Sequence, residues 1–181
     1  MSASGPATRL QWSPALERPD LLAEPVRSAL ATLPDAAQVE VTEIDPDLAD
    51  TAALVAATGL PMAQMANCLV VAGRRGEVER VAAALVLGTT RADVNTTVRK
   101  ALDVRKASFM PTDRAVAETG MEFGGITPVG LPEGWPVLVD AAVVSAPEVV
   151  IGSGVRRSKL RLPGALVSGL PAVRVVEGLG R

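Results

Sequence analysis

Apolar residues recur along the chain at spacings that shift between helical and strand-like, with proline, glycine and polar clusters between them. Val26, Ala29, Leu30 and Leu33 share one helical face, and Pro25 fits only in the first turn, where its missing N–H leaves no bond unmade. Residues 39–44 alternate and predict a strand. Asp50 is an N-cap for a helix over residues 51–58, and Gly59 is its C-terminal stop. Pro61 opens a short helix to Ala66, and residues 67–72 read as a buried strand, so Asn67 lies at a helix-to-strand junction. Arg74-Arg75-Gly76 predicts a hairpin turn with residues 78–87 as the partner strand, although the alanines of that run leave a helix open. Asp93 or Asn95 caps a helix through Leu102, and Thr112 caps another that ends at Gly120. Residues 137–139, 149–151, 159–162 and 172–176 are short β-rich runs, and residues 163–170 read as a last helical turn or two.

Strands mixed with short helices, without regular βαβ alternation, predict an α/β fold: a mixed sheet partly closed into a barrel with short flanking helices, not a doubly wound parallel sheet. Residues 1–18, rich in Ser, Pro and Ala, predict a poorly ordered arm, which leaves residues 19–181 as one domain.

Composition narrows the chemistry. The chain has no His and no Tyr, and its single cysteine, Cys68, sits in an apolar run where a buried thiol is expected. The usual zinc sets and every Ser-His or Cys-His pair are thereby excluded, and no metal or cofactor is implied. Catalysis has to use Asp, Glu, Lys, Ser, Thr, backbone amides or the substrate itself. The lone cysteine, the absence of a secretory signal pattern and the lack of a membrane-length apolar run predict a cytoplasmic protein without membrane contact. Net charge is only -2, but it is uneven: residues 1–60 are acidic, while Arg91, Arg99, Lys100, Arg105 and Lys106, and then Arg156, Arg157, Lys159, Arg161, Arg174 and Arg181, form two basic stretches. Brought together, they form a face suited to a phosphate-bearing partner; kept apart, they are solvated surface residues.

No P-loop pattern is present. Gly152-Ser153-Gly154 begins like a dinucleotide fingerprint, but Arg157 takes the place of its third glycine, so this segment reads as a turn between strands. The segment Gly124-Gly125-Ile126-Thr127-Pro128 is more specific. Paired glycines let a ligand approach the main chain without meeting a Cβ, Pro128 stiffens the exit, and aligned amides of such a loop suit an oxyanion. Taken alone, the segment is also compatible with an ordinary tight turn.

The order of elements, together with Gln64-Met65-Ala66-Asn67-Cys68-Leu69-Val70-Val71, Ala107-Ser108, the Gly124-x-x-x-Pro128 loop, Val139-Asp140 and Gly152-Ser153-Gly154-Val155-Arg156-Arg157, resembles the YbaK/ProX family of freestanding aminoacyl-tRNA editing domains over residues 26–178. The resemblance implies an aminoacyl-tRNA deacylase that hydrolyses the ester of a small mischarged amino acid on tRNA, a correction needed because a synthetase pocket cannot strongly reject small or isosteric side chains. It implies that backbone amides over Gly124, Gly125, Ile126, Thr127 and Pro128 orient the carbonyl, that a terminal ribose hydroxyl helps activate water, and that Asn67, Gly154, Arg156 and Arg157 meet the substrate. The implied partners are an aminoacyl-tRNA 3′ end and an aminoacyl-tRNA synthetase. One position departs from the family: Asn67 stands where its members carry a lysine. A neutral amide is the weaker donor, so Lys100, Lys106, Arg156 and Arg157 become the candidates for supplying the charge. The departure also keeps a second function open, a catalytically silent module that binds tRNA, a synthetase or an aminoacyl ligand. A third, hydrolysis of an acylated nucleotide other than tRNA, fits the loop but has no feature of its own.

Overall fold

The alanine-rich run that left helix and strand open is a strand, and its packing shows why. Ala83 and Leu85 face the main core, whereas Ala82, Ala84 and Val86 face a second cluster with Val98, Leu102 and Leu138. Only a period of two delivers neighbouring residues to opposite layers. A sheet covered on both faces needs no polar alternation, which is why this segment is apolar throughout.

The computed structural model describes residues 8–181. In chain order its elements are β1 (Ser13–Pro14), α1 (Glu24–Thr32), β2 (Glu40–Glu43), α2 (Thr51–Thr58), β3 (Ala66–Arg75), β4 (Val78–Leu87), α3 (Arg99–Ala101), β5 (Lys106–Phe109), α4 (Thr112–Thr119), β6 (Val137–Asp140), α5 (Ala141–Ser145), β7 (Val149–Gly152), β8 (Ser158–Leu162), α6 (Gly164–Val167) and β9 (Val173–Val176). Of the arm expected over residues 1–18, the first seven residues lie outside the described residues; within the remainder, β1 pairs with β2 and Ala15 is fully buried. Asp50 caps α2 by accepting the N–H groups of Ala52 and Ala53 at 3.0 and 3.2 Å, and Gly59 ends the helix in the left-handed conformation. The expected short helix after Pro61 is a single 3-10 turn, Met62–Gln64, and the helix expected up to Leu102 begins with a π turn capped by Asp93. Among the described residues no helix is long and apolar enough to cross a membrane.

The strands form two sheets, ordered β1-β2-β8-β7 and β5-β3-β4-β6-β9. The first is antiparallel throughout; the second joins the antiparallel β5, β3 and β4 to the parallel β6 and β9. The sheets enclose a core of Val41, Ile151, Leu160, Leu85 and Val139, and α1 covers one end with Val26 and Leu30.

The mixed α/β character agrees with expectation, but the partial barrel closure does not. The two sheets meet through one isolated parallel bridge, Met65 to Val150. Closure would require β7 to continue pairing along the first half of β3. Instead β7 ends at Gly152, whose missing Cβ makes room for the carbonyls of Gly125 and Ile126, so a loop occupies the place of the next strand pair. The gap left between the sheets is the cavity described next.

Candidate functional site

A cavity of about 720 Å³ opens along this seam, within the range of small-ligand sites. The first half of β3 supplies one wall, with Ala66, Asn67, Leu69 and Val70, and the end of β7 supplies the opposite one. The start of α2, with Asp50 and Thr51, and the loop residues Phe123, Gly124 and Ile126 complete the polar side. Arg91, Phe109 and Met110 also line it. Phe109 and Phe123 are 58% and 60% exposed and are the chain's two phenylalanines, so a chain poor in aromatics leaves both of these at one cavity.

The glycine loop is held by a dense set of main-chain bonds. Glu122 N–H donates to Gly154 O at 2.8 Å, Gly154 N–H to Gly125 O at 2.7 Å, and Gly125 N–H to Glu122 O at 2.9 Å. Gly124 adopts φ +82°, the one loop position here that demands the left-handed region. At Gly125 the demand is space: an added Cβ would lie 2.7 to 2.8 Å from the backbone of Val155. The Gly125 amide is therefore spent on the turn. The N–H groups of Gly124 and Ile126 have no hydrogen-bond partner among the described residues, and both residues line the cavity. Gly125, Thr127 and Pro128 lie behind them. Thr127 is fully buried, and its hydroxyl has no partner among the described residues.

The residues named from the sequence thus separate into two groups. Asn67 lines the cavity, with its Oδ1 accepting from the Thr51 hydroxyl at 2.7 Å. Gly154 braces the loop from behind and packs against Ala23. Arg156 donates from its guanidinium to Phe123 O and Pro46 O, each at 3.1 Å, and lies 5.9 Å from the Phe123 ring, so it buttresses the cavity wall. Arg157 is turned elsewhere, donating to Asp20 O and facing Glu43. Of the basic stretches, Arg91 and Lys159 line the cavity. Arg105 and Lys106 lie beside the β3–β4 hairpin end, where Arg105 N–H donates to Arg74 O and Lys106 pairs in register with Arg74.

Lys159 is the residue that sequence reasoning missed. It is 5% exposed, lines the cavity, and donates from Nζ to Ala49 O at 2.9 Å and toward Gly124 O at 3.4 Å. Burial pushes its pKa down to about 8; the Asp50 carboxylate opposes that shift and the Arg156 charge adds to it. Cys68, also at the cavity, is pushed up to about 12 by burial, which leaves an inert thiol. Among the described residues no group of three or more His, Cys, Asp or Glu is placed to hold a metal ion.

The model of the aminoacyl-tRNA editing domain matches residues 45–168, well over half of the chain. The chain belongs to that family. This editing domain also resembles solved structures. One is a candidate trans-editing enzyme for prolyl-tRNA synthetase, 23% identical, with 86% of this chain and 94% of that one covered and a TM-score of 0.72. Another is a scaffold used for computational grafting of linear epitopes, 24% identical, with 86% and 95% covered and a TM-score of 0.72. A third, the hypothetical protein APE2540, is 19% identical over 78% of this chain and 90% of its own, with a TM-score of 0.68. At these identities the likeness is one of fold. No curated protein matches the chain significantly. Within the family match, the cavity, the Gly124-x-x-x-Pro128 loop and Asn67 all fall inside the matched residues.

Proposed function

We propose that this editing domain hydrolyses the ester between a small mischarged amino acid and the 3′-terminal adenosine of a tRNA. The observation that carries this reading is that Gly124 and Ile126, whose amides have no partner among the described residues, both line a cavity, within a loop held by its own main-chain bonds. Amides fixed in advance stabilise charge developing on an ester carbonyl without reorganising during the reaction. In this reading the aminoacyl side chain lies against the apolar wall of Ala66, Leu69, Val70 and Ile151. The adenine stacks on Phe109 or Phe123, as exposed aromatics at single-stranded nucleic-acid sites do. Gly125, Thr127 and Pro128 hold the loop, and Arg156 and Gly154 hold it from the other side. With no histidine in the chain, activation of water falls to a ribose hydroxyl of the substrate. Solvent-facing Lys and Arg steer the tRNA by charge, and a synthetase supplies the mischarged substrate.

One observation favours the alternative of a silent binding module: Asn67, already engaged by Thr51, is neutral where the family resemblance calls for lysine. Incubation with a panel of mischarged tRNAs, and with the same aminoacyl esters on adenosine, separates the two readings. Hydrolysis of one charged tRNA well above background is the expected result. Binding of tRNA with no hydrolysis of any member of the panel replaces the enzyme with the module.

A further inference from the structure

A desolvated ammonium needs an anion or a full set of acceptors, because an unpaired buried charge is among the costliest groups a fold can hold. Lys159 has neither. Two main-chain carbonyls accept from it, which leaves one of its three donors without an acceptor among the described residues. The carboxylate its charge feels is that of Asp50, whose Oδ1 accepts the first N–H groups of α2 and which makes no hydrogen bond or ion pair with Lys159 among the described residues. The main chain that carries it is held on both sides. β8 pairs on one side with β2, Thr42 opposite Lys159, and on the other with β7, where Gly152 is its partner. The remaining exposure of Lys159 is onto the cavity, where Arg91 adds a second cation and the amides of Gly124 and Ile126 add two partial positive charges.

This concentration of donors selects for an anion. The aminoacyl part of the ester cannot be that anion, since its carboxyl is esterified and its amino group is itself cationic. The phosphate 5′ to the esterified nucleoside is the anionic part of such a ligand. Given the cavity's reading as an ester site, we propose that Lys159 binds the phosphate of the nucleotide whose ester lies against the glycine loop, and is the charged group of this site in place of residue 67. Asn67 on β3 and Lys159 on β8 line the same cavity from different sheets, so a cation mounted on either strand reaches the same space.

The test compares binding of adenosine 5′-monophosphate, adenosine and inorganic phosphate to the full chain by titration calorimetry. Wild type should bind the monophosphate about 10- to 100-fold more tightly than adenosine, the range set by a hydrogen bond to a charged group. Lys159→Met should bring the monophosphate down to the adenosine level while leaving adenosine itself unchanged and the melting temperature no lower. Adding Asn67→Lys to that variant should restore the preference, a rescue that a purely structural role for Lys159 would not produce. Equal binding of monophosphate and adenosine by wild type, or a preference that survives Lys159→Met, overturns the proposal; so does inorganic phosphate binding as tightly as the monophosphate, which would mark a free-phosphate site. These readouts do not depend on turnover. A Lys159-dependent preference with no hydrolysis of any mischarged tRNA supports the phosphate site and rejects the deacylase, whereas hydrolysis unaffected by Lys159→Met rejects the phosphate site alone.

Discussion

Replacing Lys159 with methionine should stabilise the protein at neutral pH, and the gain should disappear in alkali. In the folded chain burial moves the proton release of Lys159 from the ordinary 10.5 to about 8, which is worth about 3 kcal/mol against the charged form. The unfolded chain keeps this proton up to the ordinary lysine range. Between about 8 and 10.5 the unfolded state therefore holds more protons than the folded one, and stability rises with pH across that window. Below 8 the full cost of the buried charge is present. Methionine fills similar space without a charge and loses only the bonds to Ala49 O and Gly124 O, two carbonyls beside a cavity that water can enter. In a chain of this length 1 kcal/mol moves the melting temperature by roughly 2–4 °C. The melting temperature of the variant relative to wild type should thus fall by about 6–12 °C between pH 7 and pH 10.5, as wild type sheds its penalty and the variant has none to shed. Thermal melts of both proteins in matched buffers read this difference directly, and other titrating groups cancel between them. A difference that stays constant over that range would show that the ammonium is not desolvated, and the reasoning about its cavity would fail with it.

Four further outcomes follow from the same geometry. Gly125→Ala should cost about 1–3 kcal/mol of stability as well as any hydrolysis, because its Cβ meets the Val155 backbone at 2.7 Å; an unchanged melt with activity lost would mean that the loop yields and the ligand does not. Thr127→Val should raise stability by about 1–3 kcal/mol by removing a buried hydroxyl without a partner among the described residues, and a lower melting temperature would reveal a partner for it. Phe109→Ala or Phe123→Ala should weaken adenosine binding by about 1–3 kcal/mol, with tryptophan at the same position preserving it; no effect from either alanine excludes base stacking there. Arg91→Ala should weaken tRNA binding and reduce the slope of log affinity against log salt by about 1, and an unchanged slope would place Arg91 away from any phosphate.

Much of the fold was legible because local rules decided it. Asp50 and Gly59 bracket α2 through bonds made within a few residues, and the hairpin at Gly76 is set by its own turn. Strand β5 was missed, since Lys106 to Phe109 is too short and too polar to alternate visibly and owes its form to pairing with β3. The barrel expectation failed for a related reason. Whether two sheets close depends on what occupies the seam, and there the occupant is a loop more than twenty residues away in sequence, admitted by the absence of a Cβ at Gly152.

The candidate site divides along the same line. The glycine loop could be found because its residue types restrict the backbone, yet the sequence could not say that Gly125 spends its amide inside the turn while those of Gly124 and Ile126 have no partner among the described residues. Lys159 was visible only as one of six cations in a basic stretch, with nothing to set it apart as a site residue. In a strand where Leu160 and Leu162 face the core, alternation assigns Lys159 and Arg161 to the opposite, solvated face. Arg161 conforms in part, pairing with Glu40 and lying 4.4 Å from the Trp12 ring. Lys159 does not, because the segment leading into α2, at Ala49, and the glycine loop, at Gly124, meet its ammonium. A charge on an outward-facing position becomes a buried one only through elements that arrive from elsewhere in the chain. The same enclosure makes it costly when the cavity is empty and useful when an anion enters, so the destabilisation expected from Lys159 and its proposed affinity for phosphate have one physical origin.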